Sequence, residues 1–169
     1  MPECRSHRAC QRRGVNYMAG YSGTPLAQKI GIKPGHRLVL RNHPPTFVKD
    51  LGKLPDGVAA GDRVNGRADV VVYFVEKRAT LEKDFPALAA RLEANGMLWI
   101  AWPKRASGRP TDLNENLVRE TGLGFGLVDV KVCAIDEIWS GLKFVIRLKD
   151  RHKHLPGAAA KPRARKKEQ

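Results

Sequence analysis

The stretch Asp69-Val70-Val71-Val72-Tyr73-Phe74-Val75 is a continuous apolar run after its opening aspartate. A strand with one wet face alternates apolar and polar residues, whereas a strand covered on both faces does not. The run therefore predicts the central strand of a sheet that carries helices on both sides. The chain has 169 residues, 42% of them hydrophobic, which is the size and composition of a single domain with one sizeable core.

The flanking segments supply the other layers. Thr24 suits an N-cap and Pro25 the first helical position, which predicts a short helix stopping at Gly31. Lys33-Pro34-Gly35 then turns into the strand Arg37-Leu38-Val39-Leu40-Arg41, which Asn42-His43-Pro44-Pro45 ends. Residues 46–67 are rich in Gly, Pro and Asp, with a weak apolar pattern at Phe47, Leu51 and Leu54 and a short strand near Val58. Beyond the central run, Leu81, Phe85, Leu88, Ala89 and Leu92 share one helical face, and Asn95-Gly96 terminates it. Pro86 predicts that the regular part of this helix begins near Asp84.

Residues 97–102 read as a further strand, and Asp112-Leu113-Asn114-Glu115 as a capping box opening a helix that reaches Gly122. Two last strands, residues 128–135 and 142–148, are separated by a connection too short for a helical crossover and right for a hairpin. Repeated strand–helix units closed by a hairpin predict a single three-layer, Rossmann-like α/β domain over residues 18–150, with a mostly parallel sheet ending in an antiparallel hairpin.

Charge is concentrated at the two ends. The whole chain carries +14, of which residues 1–17 hold +3, residues 151–169 hold +6 and the body between them +5. Both end segments are expected to be disordered, because their composition cannot build a core. The tail residues Arg163, Arg165, Lys166 and Lys167 are candidates for sequence-independent nucleic-acid contacts. In the head, Cys4, His7 and Cys10 offer three ligands where a structural zinc site takes four, so no metal is expected. Patterned sequence begins at Met18, which makes that residue a candidate start. Three cysteines, no apolar run of about 20 residues and no signal-peptide core together predict a reducing, cytoplasmic setting.

Three segments carry a resemblance. Ala19-Gly20-Tyr21-Ser22-Gly23-Thr24-Pro25-Leu26, then Trp99-Ile100-Ala101-Trp102-Pro103-Lys104, and then Lys131-Val132-Cys133-Ala134-Ile135-Asp136-Glu137 with Trp139-Ser140-Gly141-Leu142 resemble, in order, a small bacterial family catalogued as a domain of unknown function. The wider layout resembles class I methyltransferases, which place a strand after a Lys-Pro-Gly turn and end in an antiparallel hairpin. That resemblance implies a Gly-rich loop after the first strand for the adenosyl cofactor and an acidic residue for its ribose at the end of the next strand. Here Asn42-His43-Pro44-Pro45 stands in the loop's place, its two prolines lack backbone donors, and no ribose acid is identifiable.

Ligands of open α/β sheets sit beyond the carboxyl ends of the strands, which directs attention to Asn42, His43, Glu76, Lys77, Trp102, Lys104 and Arg105. Of these, Asn42, His43, Trp102, Lys104 and Arg105 are the candidate ligand-binding residues. His43 reads either as a proton shuttle or as an ordinary loop residue. Trp102 with Lys104, Ser107 and Arg109 reads either as an aromatic platform beside a mobile basic loop or as a cover on the sheet end. Asp136, Glu137, Trp139 and Ser140 read as turn chemistry or as a docking surface, and Cys133 as a small apolar group.

No Ser-His-Asp arrangement, P-loop, zinc-protease helix or EF-hand loop is present. With the cofactor loop replaced by Pro-Pro, the expectation is a non-catalytic Rossmann-like binding or interaction module that takes no cofactor. The alternatives are a divergent S-adenosylmethionine-dependent methyltransferase and nucleic-acid association through the tail.

Overall fold

The computed structural model describes residues 23–63 and 66–154. The expected head over residues 1–17, with Cys4, His7 and Cys10, and the tail residues Arg163, Arg165, Lys166 and Lys167 lie outside the described residues.

Six strands form one sheet: β1 (Arg37–Arg41), β2 (Ala59–Gly61), β3 (Ala68–Phe74), β4 (Leu92–Pro103), β5 (Leu127–Ala134) and β6 (Trp139–Ile146), in the spatial order β2-β1-β3-β4-β6-β5. The pairs β1–β2, β1–β3 and β3–β4 are parallel, and β6 runs antiparallel to both β4 and β5. Four α-helices flank the sheet: α1 (Leu26–Ile30), α2 (Pro45–Leu51), α3 (Arg78–Ala90) and α4 (Glu115–Gly124). The fold class is the α/β, three-layer arrangement that the central apolar run predicts.

Two apolar clusters fill the spaces between the layers. Leu81, Phe85 and Leu88 of α3 and Val118 of α4 pack with Val71, Leu98, Ile100 and Phe144 on one side of the sheet. Leu26 and Ile30 of α1 and Phe47 and Leu51 of α2 pack with Val70, Val72, Phe74 and Trp99 on the other. Trp99 is fully buried, and its Nε1–H donates to the Ile30 carbonyl at 2.9 Å. A buried indole needs an acceptor and the last turn of a helix has spare carbonyls, so one bond satisfies both. At the amino ends of the strands, the Arg37 guanidinium donates to Asp69 at 3.2 Å and Glu93 at 2.6 Å, tying β1, β3 and β4 together.

Several boundaries differ from expectation, each for a local reason. α1 begins at Leu26 with Pro25 as its N-cap and no side-chain cap, so Thr24 does not play that part. α3 starts at Arg78 and contains Pro86. Its first turn is held from outside, by the Asp112 carboxylate accepting from the Arg78 N–H at 2.7 Å. Asp112 is thus committed to α3, and Asn114 caps α4 instead, accepting from Leu117 N–H at 2.9 Å. β4 starts at Leu92, before Asn95-Gly96, and a register shift between Ala68 and Val70 takes up the extra residues. The end of the chain stays in a 3-10 helix from Leu148 to His154, past the boundary expected at Asp150, with Arg151 donating to Asn95 at 2.7 Å.

α4 lies close to the sheet because Gly122 has no side chain. A Cβ there would fall inside the ring of Phe144, which is itself fully buried. Gly122→Ala should destabilise the protein by about 2 kcal/mol despite alanine's better helix propensity, since overpacking costs about 1–3 kcal/mol. Urea unfolding followed by far-UV circular dichroism measures this, and an unchanged midpoint would mean that α4 can shift away from the sheet.

Candidate functional site

β1 leads through α2 to β2 on one side of the sheet, while β3 lies on its other side. The topological switch point therefore falls between β1 and β3, the place where open α/β sheets keep their ligands. A cleft of about 460 Å³ opens there, lined by Asn42 and Pro44 after β1, Val75, Glu76 and Lys77 after β3, and Trp139 at the start of β6.

The floor of the cleft is aromatic. Phe47, Phe74 and Trp139 meet edge to face, with ring centroids 4.8 Å apart for the first pair and 5.0 Å for the second. Arg109 covers this floor at the mouth, its guanidinium carbon 5.4 Å from the Trp139 ring and its Nε 3.4 Å from Glu76. Thr111 fixes the same loop by donating to the Glu76 carbonyl at 2.7 Å. A second hollow of about 650 Å³ adjoins the cleft where Pro45 meets Thr46 and Ile138 meets Trp139, and Lys29, Asp50 and Glu137 line it.

The turn after β1 is tight. Asn42 adopts φ 55°, the left-handed region that asparagine tolerates better than most side chains, and the chain enters α2 two residues later through Pro44 as N-cap and Pro45 as first residue. His43 is half-buried; its Nδ1 lies 3.3 Å from the Pro44 carbonyl and its Nε2 3.9 Å from Asp62. Asp62 directly follows β2, the parallel neighbour of β1. An acid that the sequence left unidentified thus stands at the end of the next strand. β2 is three residues long and contains two alanines and a glycine, so no strand signal in the sequence pointed to its end.

The other candidates are spread more widely. Trp102 is not an aromatic platform: it is 5% exposed and belongs to the core on the α3–α4 side, because alternation along β4 turns it away from the cleft. Its neighbour across the sheet is Ser140. Nor is the loop after β4 a loose one, since the Lys104 ammonium donates to the Asp136 carbonyl at 2.6 Å and Arg105 opens a short 3-10 helix. Asp136 organises the hairpin turn, its carboxylate accepting from Ile138 N–H at 2.7 Å and Trp139 N–H at 2.6 Å, while Glu137 is exposed at the second hollow. Asn42 and Trp139, singled out for different reasons, thus meet in one cleft. Phe74, Thr80 and Arg109 complete its wall, and no spacing in the sequence joins them.

Two titrations bear on chemistry. Burial pushes the Cys133 thiol up, with Lys131 and Lys29 opposing, which disfavours the thiolate a nucleophile needs. Burial and then the hydrogen bond to Asp84 push the Tyr73 phenol above its ordinary value. Among the described residues, no group of three or more His, Cys, Asp or Glu could hold a metal, and no helix is long and apolar enough to cross a membrane.

Asp136→Ala removes the acceptor of two turn N–H groups. It should cost about 1–2 kcal/mol and loosen the seat of Trp139. Unfolding midpoints and acrylamide quenching of tryptophan emission check this, and unaltered quenching would show that Phe74 alone holds the ring.

No protein-family model and no curated protein matches the sequence. Among solved structures, the fold is similar to that of a ribosomal protein L11 methylase from Lactobacillus delbrueckii subsp. bulgaricus, with a TM-score of 0.52 and 12% identity over 72% of this chain and 75% of that one. Further neighbours are magnesium protoporphyrin IX methyltransferase from Synechocystis PCC 6803 with bound SAH (TM-score 0.49, 12% identity, 72% and 78% covered) and a SAM dependent methyltransferase from Aquifex aeolicus (TM-score 0.49, 13% identity, 72% and 88% covered). The likeness to the L11 methylase corrects the two expectations that rested on Pro44 and Pro45, a non-catalytic module and the absence of a cofactor, because the sheet around that loop is similar in fold to that of a methylase.

Proposed function

We propose that the chain is a divergent S-adenosylmethionine-dependent methyltransferase with its cofactor site at the carboxyl ends of β1, β2 and β3. The observation that carries this reading is the cleft at the switch point; outside its lining, beyond β2, stands the carboxylate of Asp62, 3.9 Å from His43. Bound S-adenosylmethionine supplies an activated methyl group on a cationic sulfur, which an incoming nucleophile takes up.

The residues present fit such a ligand in an altered way. Pro44 and Pro45 offer no backbone donors, so the turn acts by shape and apolar contact instead of as a cradle of N–H groups. Asp62 is the group for a ribose diol, since an ionised carboxylate accepts from two hydroxyls. Phe74 and Val75, both nearly inaccessible, keep water from the floor, and Lys77 and Arg109 stand at the mouth where a ligand carboxylate needs a cation. The adjoining hollow beside Asp50 and Glu137 is the side from which a methyl acceptor would approach. Kinship with the small bacterial family and action in the cytoplasm belong to the same reading, supported by the motif segments and by the reduced cysteine usage.

The test is calorimetric titration of the full chain with S-adenosylhomocysteine. Asp62→Asn should weaken binding about tenfold, the lower range for loss of a hydrogen bond to a charged group at an exposed site. Asn42→Gly, which relaxes the left-handed turn, should retain binding. If the ligand does not bind the unaltered chain at millimolar concentration, the reading fails.

A further inference from the structure

β5 and β6 set Lys131 and Lys143 directly opposite one another. Like charges at opposed positions repel, so the pair costs stability in the isolated protein. Its neighbours Leu142 and Phe144 point into the α3–α4 core, which puts Lys143 on the α1 side of the sheet, where its Nζ comes within 3.9 Å of the position a Cβ on Gly31 would take. Lys33 lies just beyond that glycine. Burial first, then Lys131 and Lys33, hold the Lys143 ammonium below the ordinary lysine value. Among the described residues, none of these three lysines forms an ion pair. Arg147 directly follows β6, and its buried Nε has no hydrogen-bond partner among the described residues.

What could relieve this repulsion is an anion, and the choice of anion follows from size and setting. The undescribed residues at the two ends carry nine Lys or Arg against two acids, so by composition they do not supply the anion. Lys143 and Arg147 are four residues apart in extended chain, about 13 Å, farther than one phosphate can bridge. A nucleic-acid backbone presents a charge about every 3.4 Å along each strand and spans the distance. A lipid surface would call for protruding apolar side chains. Here Val145 follows Lys143 on the same side of β6 and Cys133 sits beside Lys131 on β5, and both are partly buried against the α1–α2 core. The exposed aromatic residue, Phe125, stacks on Phe85 in the opposite layer, so bases have no platform on this side.

We propose that the α1 side of β5–β6 is a sequence-independent docking surface for nucleic-acid phosphates, with Lys33, Lys131, Lys143 and Arg147 as its contacts. The surface does not depend on the cofactor reading, and its loss would leave S-adenosylhomocysteine binding unchanged.

Fluorescence anisotropy of a labelled 20-nucleotide RNA against the full chain, over a salt series, tests this. For Lys131→Gln combined with Lys143→Gln, the slope of log K against log salt should shrink by about 1.4–1.8, at about 0.7–0.9 per phosphate contact. Lys131→Glu, which creates a cross-strand ion pair with Lys143 and so folds at least as well, should weaken binding by a similar amount. A chain ending at His154 should keep the part of the affinity that these variants remove. The proposal is overturned by slopes unchanged in both variants, by complete loss of binding in the shortened chain, or by capture of phosphatidylserine vesicles in place of RNA.

Discussion

The dryness of both faces of β3 is the constraint from which the rest of the architecture follows. Every residue from Val70 to Val75 is buried, so the strand's backbone groups can be satisfied within the sheet and nowhere else. That condition requires a strand on each side and a helical layer on each face. β1 and β4 supply the first, and α1–α2 and α3–α4 the second. It also locates the cleft. Where β3 leaves the sheet, its neighbour β1 has already turned away into α2, and the cleft opens between them.

The features readable in the sequence were those in which one pattern had a single structural solution. The apolar run of β3 and the alternation of β6 could be packed in one way, and they led to the layered sheet with its terminal hairpin. Helix starts were less legible because their caps came from elsewhere in the chain. Asp112 looked like the opening of α4 and in fact caps α3, a contact across 34 residues that no local spacing announces. Pro86 looked like a helix start, yet an external cap lets α3 begin well before it.

The site was legible in part. Asn42 and His43 follow a recognisable strand, and of the two Asn42 lines the cleft. Asp62 was missed because the strand before it is three small residues long, and Trp102 was over-read because a tryptophan at a strand end points into or away from a cleft according to a register that the sequence does not display. The prolines misled in a more instructive way. They remove the donors of a glycine-rich loop, but the position of that loop is set by the sheet, and the sheet remains similar in fold to that of a methylase.

Both borders of the sheet are poor templates for a foreign strand. β2 ends after three residues, and β5 loses its register between Asp129 and Lys131, which kinks the exposed edge and leaves a lysine beside the break. A flat, regular edge invites chains to add to one another into aggregates, and shortness, a bulge and a charge are the usual protections. A sheet so rich in valine and leucine at its centre is thereby guarded against polymerising at its margins.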